Sequence, residues 1–593
     1  MKILQAVSNT LSRAPLLGKV VHQMISEDPA LFAVQLLRRT PSHLRDALSA
    51  LPEPSHKGST IRSTWLMMLD RRQQLQDELA SAGEQSSSGL LNKIRVQIES
   101  ELPPSASAND RAHQLWESGN LDEAIALAQP PLRGILESRL RVLTPGRTLV
   151  LPSSYDEDEP PTPRKTPAPA RPAGDSSSPV RVLHCLTNSL PWTNSGYALR
   201  SHQVLLAQRA VGLEVEAITR LAYPLTIGRP WAGTVDEVDS IRYRRLLPAS
   251  LPRYEDARLA LHTKMLADVA HSYSPDVLHT TTNFHNGLVT RAVAEKLDIP
   301  WVYEMRGELE KSWVARRPRH QETTALASQR YQLMRARETE MALAADAVVA
   351  LSHHQADSLV ERGIPAAKIH VIPNAVDADL LDVPRNPQSA RRSLGLTERA
   401  WVGTVSALVD YEGLDTLVRA VASLRKRGVD IGLAIVGDGV SRESLIQLCR
   451  NEGLNVHTGP LGESSTNADA VFPGKVAPLN APSWYQALDV MAIPRRDTPV
   501  TRAVTPIKGL QAMALGIPQV VSDLPALVEV GARDGQGLAV SPGDANALAD
   551  VIGQIIADTD LAESLSSQAR KVATGRTWSA NAAAYSQLYS SLL

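Results

Sequence analysis

Four cations, Arg495, Arg496, Arg502 and Lys508, crowd the start of a segment whose pattern predicts a helix, "AVTPIKGLQAMALGIPQVVSD" at residues 503–523. Thr505 is suited to the N-cap, Pro506 to the first helical position, and Gly516 to the left-handed residue after the last turn. A first helical turn carries bare N–H groups and a positive dipole end, which favour carboxylates. This one holds Lys508 and no acid, so positive charge is placed on a positive end. A phosphate-like anion would neutralise the group; a solvated basic loop is the plain alternative.

Other residues could contribute chemistry. Gly196 in "NSGY" stands between a strand and a helix, where backbone N–H groups can approach a phosphate or sugar, although a turn glycine needs no ligand. His279 closes the strand "DVLH", and Glu304 and Arg306 close the strand of "VYEMRG", so all three are expected to face a cleft. A lone histidine at a strand end is also commonly a hydrogen-bonded structural residue. The second half offers no acid pair with metal-ligand spacing, so no metal and no cofactor are expected.

These positions depend on a regular frame. After residue 180, short β-rich runs alternate with amphipathic helices, the pattern of parallel sheets covered on both faces. Six candidate strands lie at 181–187, 214–219, 276–280, 300–304, 346–352 and 368–373; a second set of six lies at 401–406, 432–437, 456–459, 488–494, 518–523 and 537–540. The expected fold class is therefore α/β, two tandem Rossmann-like doubly wound domains preceded by a helical domain. Open α/β sheets bind ligands beyond the carboxyl ends of their strands. The expected boundaries are 1–150 for a helical accessory domain, 151–179 for a Pro-rich linker, 180–390 and 391–575 for the two Rossmann-like domains, and 576–593 for a C-terminal helix packing back across the cleft. A hinge falls within 383–398. Residues 152–179 hold eight prolines in 28 positions and almost no large apolar side chain. Before them, "ANDRAHQLWESGNLDEAIALAQ" resembles one helical hairpin of the tetratricopeptide type, turning at Gly119-Asn120.

Composition narrows the function. The 593 residues carry a net charge of −1, so no global field recruits nucleic acid and any anion site is local. Cys185 and Cys449, more than 260 positions apart, fit a reducing cytosol and two inert core thiols. No apolar run reaches the length of a spanning helix, and no signal peptide pattern opens the chain. Residues 1–24 combine Lys2, Arg13 and Lys19 with apolar residues at near-helical spacing and no acid. They either lie on an anionic membrane surface, giving a cytoplasmic protein peripheral to the inner face of the membrane, or pack on the protein itself.

Eight ordered landmarks together resemble the retaining, nucleotide-sugar-dependent glycosyltransferases of family 4, which have the two-Rossmann GT-B fold. They are "SLPWTNSGYALRSHQ", "PDVLHTTTNFHNG", "VYEMRG", "ADAVVALSHHQADSLVERGIPAAKIHVIPNAVD", "YEGLDTLVRAV", "AIVGDG", "FPGKV" and "TPIKGLQAMALGIPQVVSD", spread over residues 180 to 575. The resemblance does not reach the first 150 residues. It implies that the helix after Thr505 receives the donor diphosphate, with Arg495, Arg502 and Lys508 neutralising the departing charge without a metal. It implies that Gly437 and Gly439, and Gly474, Lys475 and Val476, contact phosphate and base alongside Gly196. His279 would orient donor and acceptor, Arg306 would assist the acceptor, and Tyr197, Arg200 and Glu304 would lie on the acceptor side.

Three departures stand out. Ala407 and Glu412 occupy positions where many members have an Arg and a Lys; Ala503 and Gln511 stand for two glutamates, leaving Gln511 a neutral acceptor for the ribose; and Thr281 replaces a second histidine. The implied function is transfer of a sugar from a nucleoside diphosphate to a glycan or lipid-linked acceptor in envelope polysaccharide or glycoconjugate assembly. Residues 1–150 are expected to dock a protein partner. The rival is a glycosyltransferase-like binding protein or pseudoenzyme acting as an assembly subunit. A helical scaffold with an incidental Rossmann pair is hard to reconcile with eight landmarks.

Overall fold

The computed structural model describes residues 18, 51–56, 59–69, 71–81, 89–98, 101–151, 179–229, 231–317, 319–461 and 467–593. The linker, apart from its two end residues, and the basic N-terminal segment, apart from Gly18, lie outside these. The chain divides into two compact units: Met1–Ala198, Val215–Tyr303 and Leu309–Asp346 form one; Leu199–Glu214, Glu304–Glu308 and Ala347–Leu593 form the other.

The first unit is built on β1 (Arg181–Leu186), β2 (Glu214–Thr219), β3 (Val235–Val238), β4 (Ile241–Arg245), β5 (Val277–Thr281) and β6 (Trp301–Met305), in the order β3-β4-β2-β1-β5-β6. β1 and β5 pair in parallel with Leu183 opposite Leu278 and His184 opposite His279. Their near-continuous burial is what a sheet covered on both faces requires. β4 pairs in parallel with β2, and β3 runs antiparallel against β4. This hairpin is absent from the sequence-based strands because its turn residues, Asp239 and Ser240, adopt positive φ of 47° and 65° without the usual Asn-Gly signal.

The helical segment belongs to this unit. Its predicted hairpin is present, with helices Ala108–Ser118 and Leu121–Leu127 and Gly119 left-handed at φ 100°. The segment is fastened by backbone groups. Gln329 Oε1 accepts from the N–H groups of Leu121 and Asp122 at 3.0 Å each. Fully buried Arg337 donates to the carbonyls of Val142 (3.0 Å) and Arg147 (2.6 Å) while pairing with Glu340 at 2.6 Å. Ser138 Oγ donates to Asp256 at 2.7 Å.

The second unit holds β9 (Ala400–Val405), β10 (Ile431–Val436), β11 (Val456–Thr458), β12 (Ala470–Gly474), β13 (Val490–Ile493), β14 (Gln519–Ser522) and β15 (Gly537–Val540), in the order β11-β12-β10-β9-β13-β14-β15 with every paired neighbour parallel. It also contains the parallel pair of β7 (Ala347–Ala350) and β8 (Ile369–Val371). Leu417, Val421, Leu433, Ile435 and Ile552 are buried on one face of the seven-stranded sheet, and Trp401, Trp484, Tyr485 and Leu515 on the other. Each such aliphatic side chain contributes about 1.5–3 kcal/mol by leaving water. β12 carries the "FPG" landmark and was not among the sequence-based strands. The C-terminal helix, Trp578–Leu592, buries Tyr585 and Tyr589.

The attachment of the helical segment generates a prediction. Arg337→Met leaves the Val142 and Arg147 carbonyls without this donor and takes one of several partners from Glu340, and it is expected to lower unfolding free energy by at least about 1–3 kcal/mol. Urea denaturation measures this, and an unchanged midpoint and slope would contradict the role given to Arg337.

Candidate active site

In the second unit the strand order reverses about β9, whose neighbours are β10 and β13. A ligand crevice is expected beyond the carboxyl ends of these strands. Ser406 follows β9, Gly437 follows β10, and Arg495 lies two residues beyond β13. The helix bearing Lys508 runs Ile507–Ala514 with Pro506 as N-cap, one residue later than expected from sequence, and Thr505 makes no cap. Its N-cap makes no side-chain hydrogen bond and its first turn holds no acid. Gly516 is left-handed at φ 68°, as its place after the last turn requires.

The cations do not face one another unopposed. Glu412, buried among them, accepts from Arg495 Nη2 at 2.9 Å and from Lys508 Nζ, and Lys508 also donates to Ser406 Oγ at 2.7 Å. Arg495 further donates to the Val504 carbonyl at 2.9 Å. Burial alone would push the Glu412 carboxyl up, but Lys508 and Arg495 outweigh it and hold it at about 2. Burial draws Lys508 down to about 8, with Glu412 opposing and Arg495 adding to the fall. Two cations around one carboxylate leave one net positive charge at the bare helix start.

The other two cations are engaged elsewhere. Arg496 pairs with Asp415 at 2.9 Å and Asp410 at 3.2 Å, and exposed Arg502 with Asp497 at 2.5 Å. The expected four-cation cluster is thus corrected to Arg495 and Lys508, because each of the others has an acid within reach.

A second buried triad lies in this unit. Glu304 is held between Arg200, at 2.8 Å, and Arg306, at 3.0 Å. Arg306 donates to Ser201 Oγ at 2.6 Å, and Arg200 to Asn374 Oδ1 at 2.9 Å. Asn374 Nδ2 in turn donates to the Thr505 carbonyl at 3.0 Å. A continuous chain, Arg306–Glu304–Arg200–Asn374–Thr505, therefore ends two residues before the helix. All three charged residues are at most 5% exposed, so they position the Thr505 segment rather than face an open cleft. Asn374 lies within the landmark ending "IPNAVD" but was not among the expected site residues.

The remaining expected residues are placed as follows. His279 is fully buried in mid-strand, because β5 continues to Thr281, and it stacks on His184 with centroids 4.6 Å apart. Gly437 (φ 140°) and Gly439 (φ 158°) are required by the fold itself: a Cβ on either would lie 1.8 Å from the Ser406 carbonyl oxygen or 2.3 Å from that of Leu408. Gly196 and Gly474 have open space beside them, and Lys475 and Tyr197 are exposed. Val476 is partly buried. Gln511 is partly buried and its Oε1 accepts from Tyr485 Oη at 3.0 Å, leaving a second lone pair.

Removing the Glu412 charge strands two buried cations. Glu412→Gln is expected to cost about 3–5 kcal/mol of stability. Because the folded carboxyl lies below its ordinary 4.5, this contribution is complete above about pH 4.5 and is lost as pH falls towards about 2. Denaturation of both proteins from pH 7 to 3 should show the gap narrowing in that window; a constant gap would contradict the pairing.

Residues 195–375 match the family model of the glycosyl transferase 4-like domain, and residues 399–558 that of glycosyl transferases group 1. The GDP-mannose-dependent alpha-(1-6)-phosphatidylinositol monomannoside mannosyltransferase of Mycobacterium tuberculosis is 30% identical over 217 residues, covering 36% of this chain and 52% of that protein. The D-inositol 3-phosphate glycosyltransferase of Xylanimonas cellulosilytica is 28% identical over 260 residues, 42% of this chain and 58% of that protein. The chain spans about half the length of the curated relatives it matches. Among solved structures, sucrose-phosphate synthase from Thermosynechococcus elongatus aligns at TM-score 0.54 and 21% identity, over 70% of this chain and 99% of that one. Anabaena HepE in complex with UDP aligns at 0.52 and 19%, over 70% and 100%. At these identities the likeness shows the fold, which is GT-B. With both of its α/β halves matched in order, the chain belongs to the group 1, family 4-like glycosyltransferases.

Proposed function

We propose that this chain is a retaining glycosyltransferase that moves a sugar from a nucleoside diphosphate donor to a glycan or lipid-linked acceptor in envelope polysaccharide or glycoconjugate assembly. The observation that carries the reading is the net positive charge held by Glu412, Arg495 and Lys508 where an uncapped helix begins. A diphosphate placed there receives the Lys508 ammonium, the Arg495 guanidinium and the first helical N–H groups. As the bond between sugar and phosphate breaks, charge builds on the leaving phosphate, and donors already fixed in place stabilise it by about 3–4 kcal/mol each. Gln511 is assigned to the ribose, and the Arg306–Glu304–Arg200 triad holds the Thr505 segment through Asn374. The reading needs no metal, since the protein's own cations meet the phosphate charge. Retention of anomeric configuration rests on the family resemblance.

The acceptor class is supported by the two relatives, which are named for phosphatidylinositol monomannoside and for D-inositol 3-phosphate. Among the described residues no helix is long and apolar enough to cross a membrane. A cytoplasmic location, peripheral to the inner face if residues 1–24 bind lipid, accompanies the reading.

The reading is tested by incubating the protein with UDP-, GDP- and ADP-sugars and measuring release of the nucleoside diphosphate. Slow hydrolysis of one donor is expected, and binding of a donor without any turnover in the presence of acceptor glycolipids would favour the non-catalytic rival. A pH dependence is also expected. Lys508 sheds its proton from about pH 8 upward, so affinity for the nucleoside diphosphate falls through that range. Lys508→Arg should remove the fall, and a flat profile in the unaltered protein would contradict the assignment.

A further inference from the structure

The bare helix start at Ile507 is held by a second set of contacts, which lead to the helix Trp578–Leu592 of the same unit. Residues 372–376, directly after β8, carry Asn374, whose Nδ2 donates to the Thr505 carbonyl at 3.0 Å and lies 3.3 Å from Thr505 Oγ1. Thr505 stands two residues before the uncapped helix Ile507–Ala514. Wherever Asn374 is fixed, the exposed N–H groups of that helix are fixed as well.

The helix Trp578–Leu592 is started by Thr577, whose side chain accepts from the Ala580 N–H at 3.3 Å. Trp578, Asn581, Tyr585 and Tyr589 recur at intervals of three and four, so they share one face, and all four are buried. At its first turn the backbone joins residues 372–376: the Val376 N–H donates to the Arg576 carbonyl at 3.0 Å, and the Trp578 N–H to the Val376 carbonyl at 3.2 Å. Asn581 Nδ2 then donates to the Pro373 carbonyl at 2.7 Å, in the peptide bond that enters Asn374. Arg200 holds the same stretch, donating to the carbonyls of Ile372 at 3.1 Å and Pro373 at 2.9 Å and to Asn374 Oδ1 at 2.9 Å. Arg200 is itself held by the helix: its Nη2 donates to Tyr585 Oη at 3.4 Å, and the Trp578 ring lies 5.7 Å from the guanidinium carbon. Burial first and the Glu304 charge next push the Tyr585 hydroxyl above its ordinary range, so it stays neutral beside that cation. Tyr589 differs. It stacks on Tyr585 with centroids 6.0 Å apart, and its hydroxyl accepts from Gln208 at 2.9 Å.

We propose that Asn581 and Tyr585 are positioning residues for the donor diphosphate, setting through residues 372–374 and Arg200 where Thr505 and the bare helix start meet the phosphates, a role that rests on the diphosphate reading of that helix start. Neither side chain needs to touch the ligand. Donors aimed at a phosphate act at full strength only when the residues behind them are locked, and here the lock comes from a helix that begins 71 positions after Ile507.

Calorimetry on the full chain tests this with UDP, GDP and ADP, each beside its own nucleoside, and a melting curve for every variant. Asn581→Ala and Tyr585→Phe should each weaken the tightest diphosphate about threefold to tenfold, as the loss of one neutral hydrogen bond does, while its nucleoside binds as before. Tyr589→Phe takes an equally buried hydroxyl from the same face, so it should lower the melting temperature by a similar amount yet leave the gap between diphosphate and nucleoside unchanged. Should Asn581→Ala fail to fold, Tyr585→Phe, which removes a single oxygen, decides alone. Equal weakening of diphosphate and nucleoside, a gap that neither variant moves, or a gap that Tyr589→Phe narrows as much as Tyr585→Phe would overturn the proposal and leave the donor reading standing. Absence of any gap in the unaltered protein would overturn both.

Discussion

One buried carboxylate, Glu412, organises the second unit's candidate site. Without it, Arg495 and Lys508 could not both be kept out of water beside a positive helix end, since each would lose hydration and repel the other. With it, both are fixed, the helix start remains free of acids, and a single positive charge is left over. The loop that carries Glu412 is held close by the fold: at Gly413, a Cβ would lie 2.0 Å from the Pro494 carbonyl oxygen. The loops after β9 and β13 are therefore in backbone contact, and this contact brings Glu412 to Arg495.

The same arrangement recurs at Glu304, which lies between Arg200 and Arg306. Each triad places two cations around one acid and retains one positive charge. Asn374 joins the second triad to Thr505, and Lys508 of the first lies three residues further on. The segment between them is fixed from both sides by buried, ion-paired groups. Such preorganisation is what a site needs if it is to meet new phosphate charge without rearranging.

Most strands and the acid-free helix start were legible because they rest on local patterns, whereas the β3-β4 hairpin and β12 were not. What else was not legible depends on distant pairs. Glu412 stands 96 positions before Lys508, and Glu304 stands 104 after Arg200, so nothing near any of these four residues announces its partner. Glu412 therefore looked like the loss of a cation when it is the counter-charge that lets two others be buried. Arg306 and Glu304 were placed at a cleft because they end a strand, but their mutual pairing draws them inside. Gly437 and Gly439 suit a phosphate loop in sequence, while in space the carbonyls of Ser406 and Leu408 already require glycine. The helical segment's contacts with Gln329, Arg337 and Asp256 likewise join residues too far apart for any periodicity to record.

The central claim is that the charge left at Glu412, Arg495 and Lys508 is there for a diphosphate. Calorimetric titration of a nucleoside diphosphate and its bare nucleoside into the unaltered protein and into Lys508→Met tests it directly. The account predicts that the affinity gap between the two ligands shrinks by about 1.5–3 kcal/mol in the variant, the range for a hydrogen bond to a charged group, with nucleoside binding little changed. An equal loss for both ligands would show that Lys508 only supports the fold, and would contradict the account.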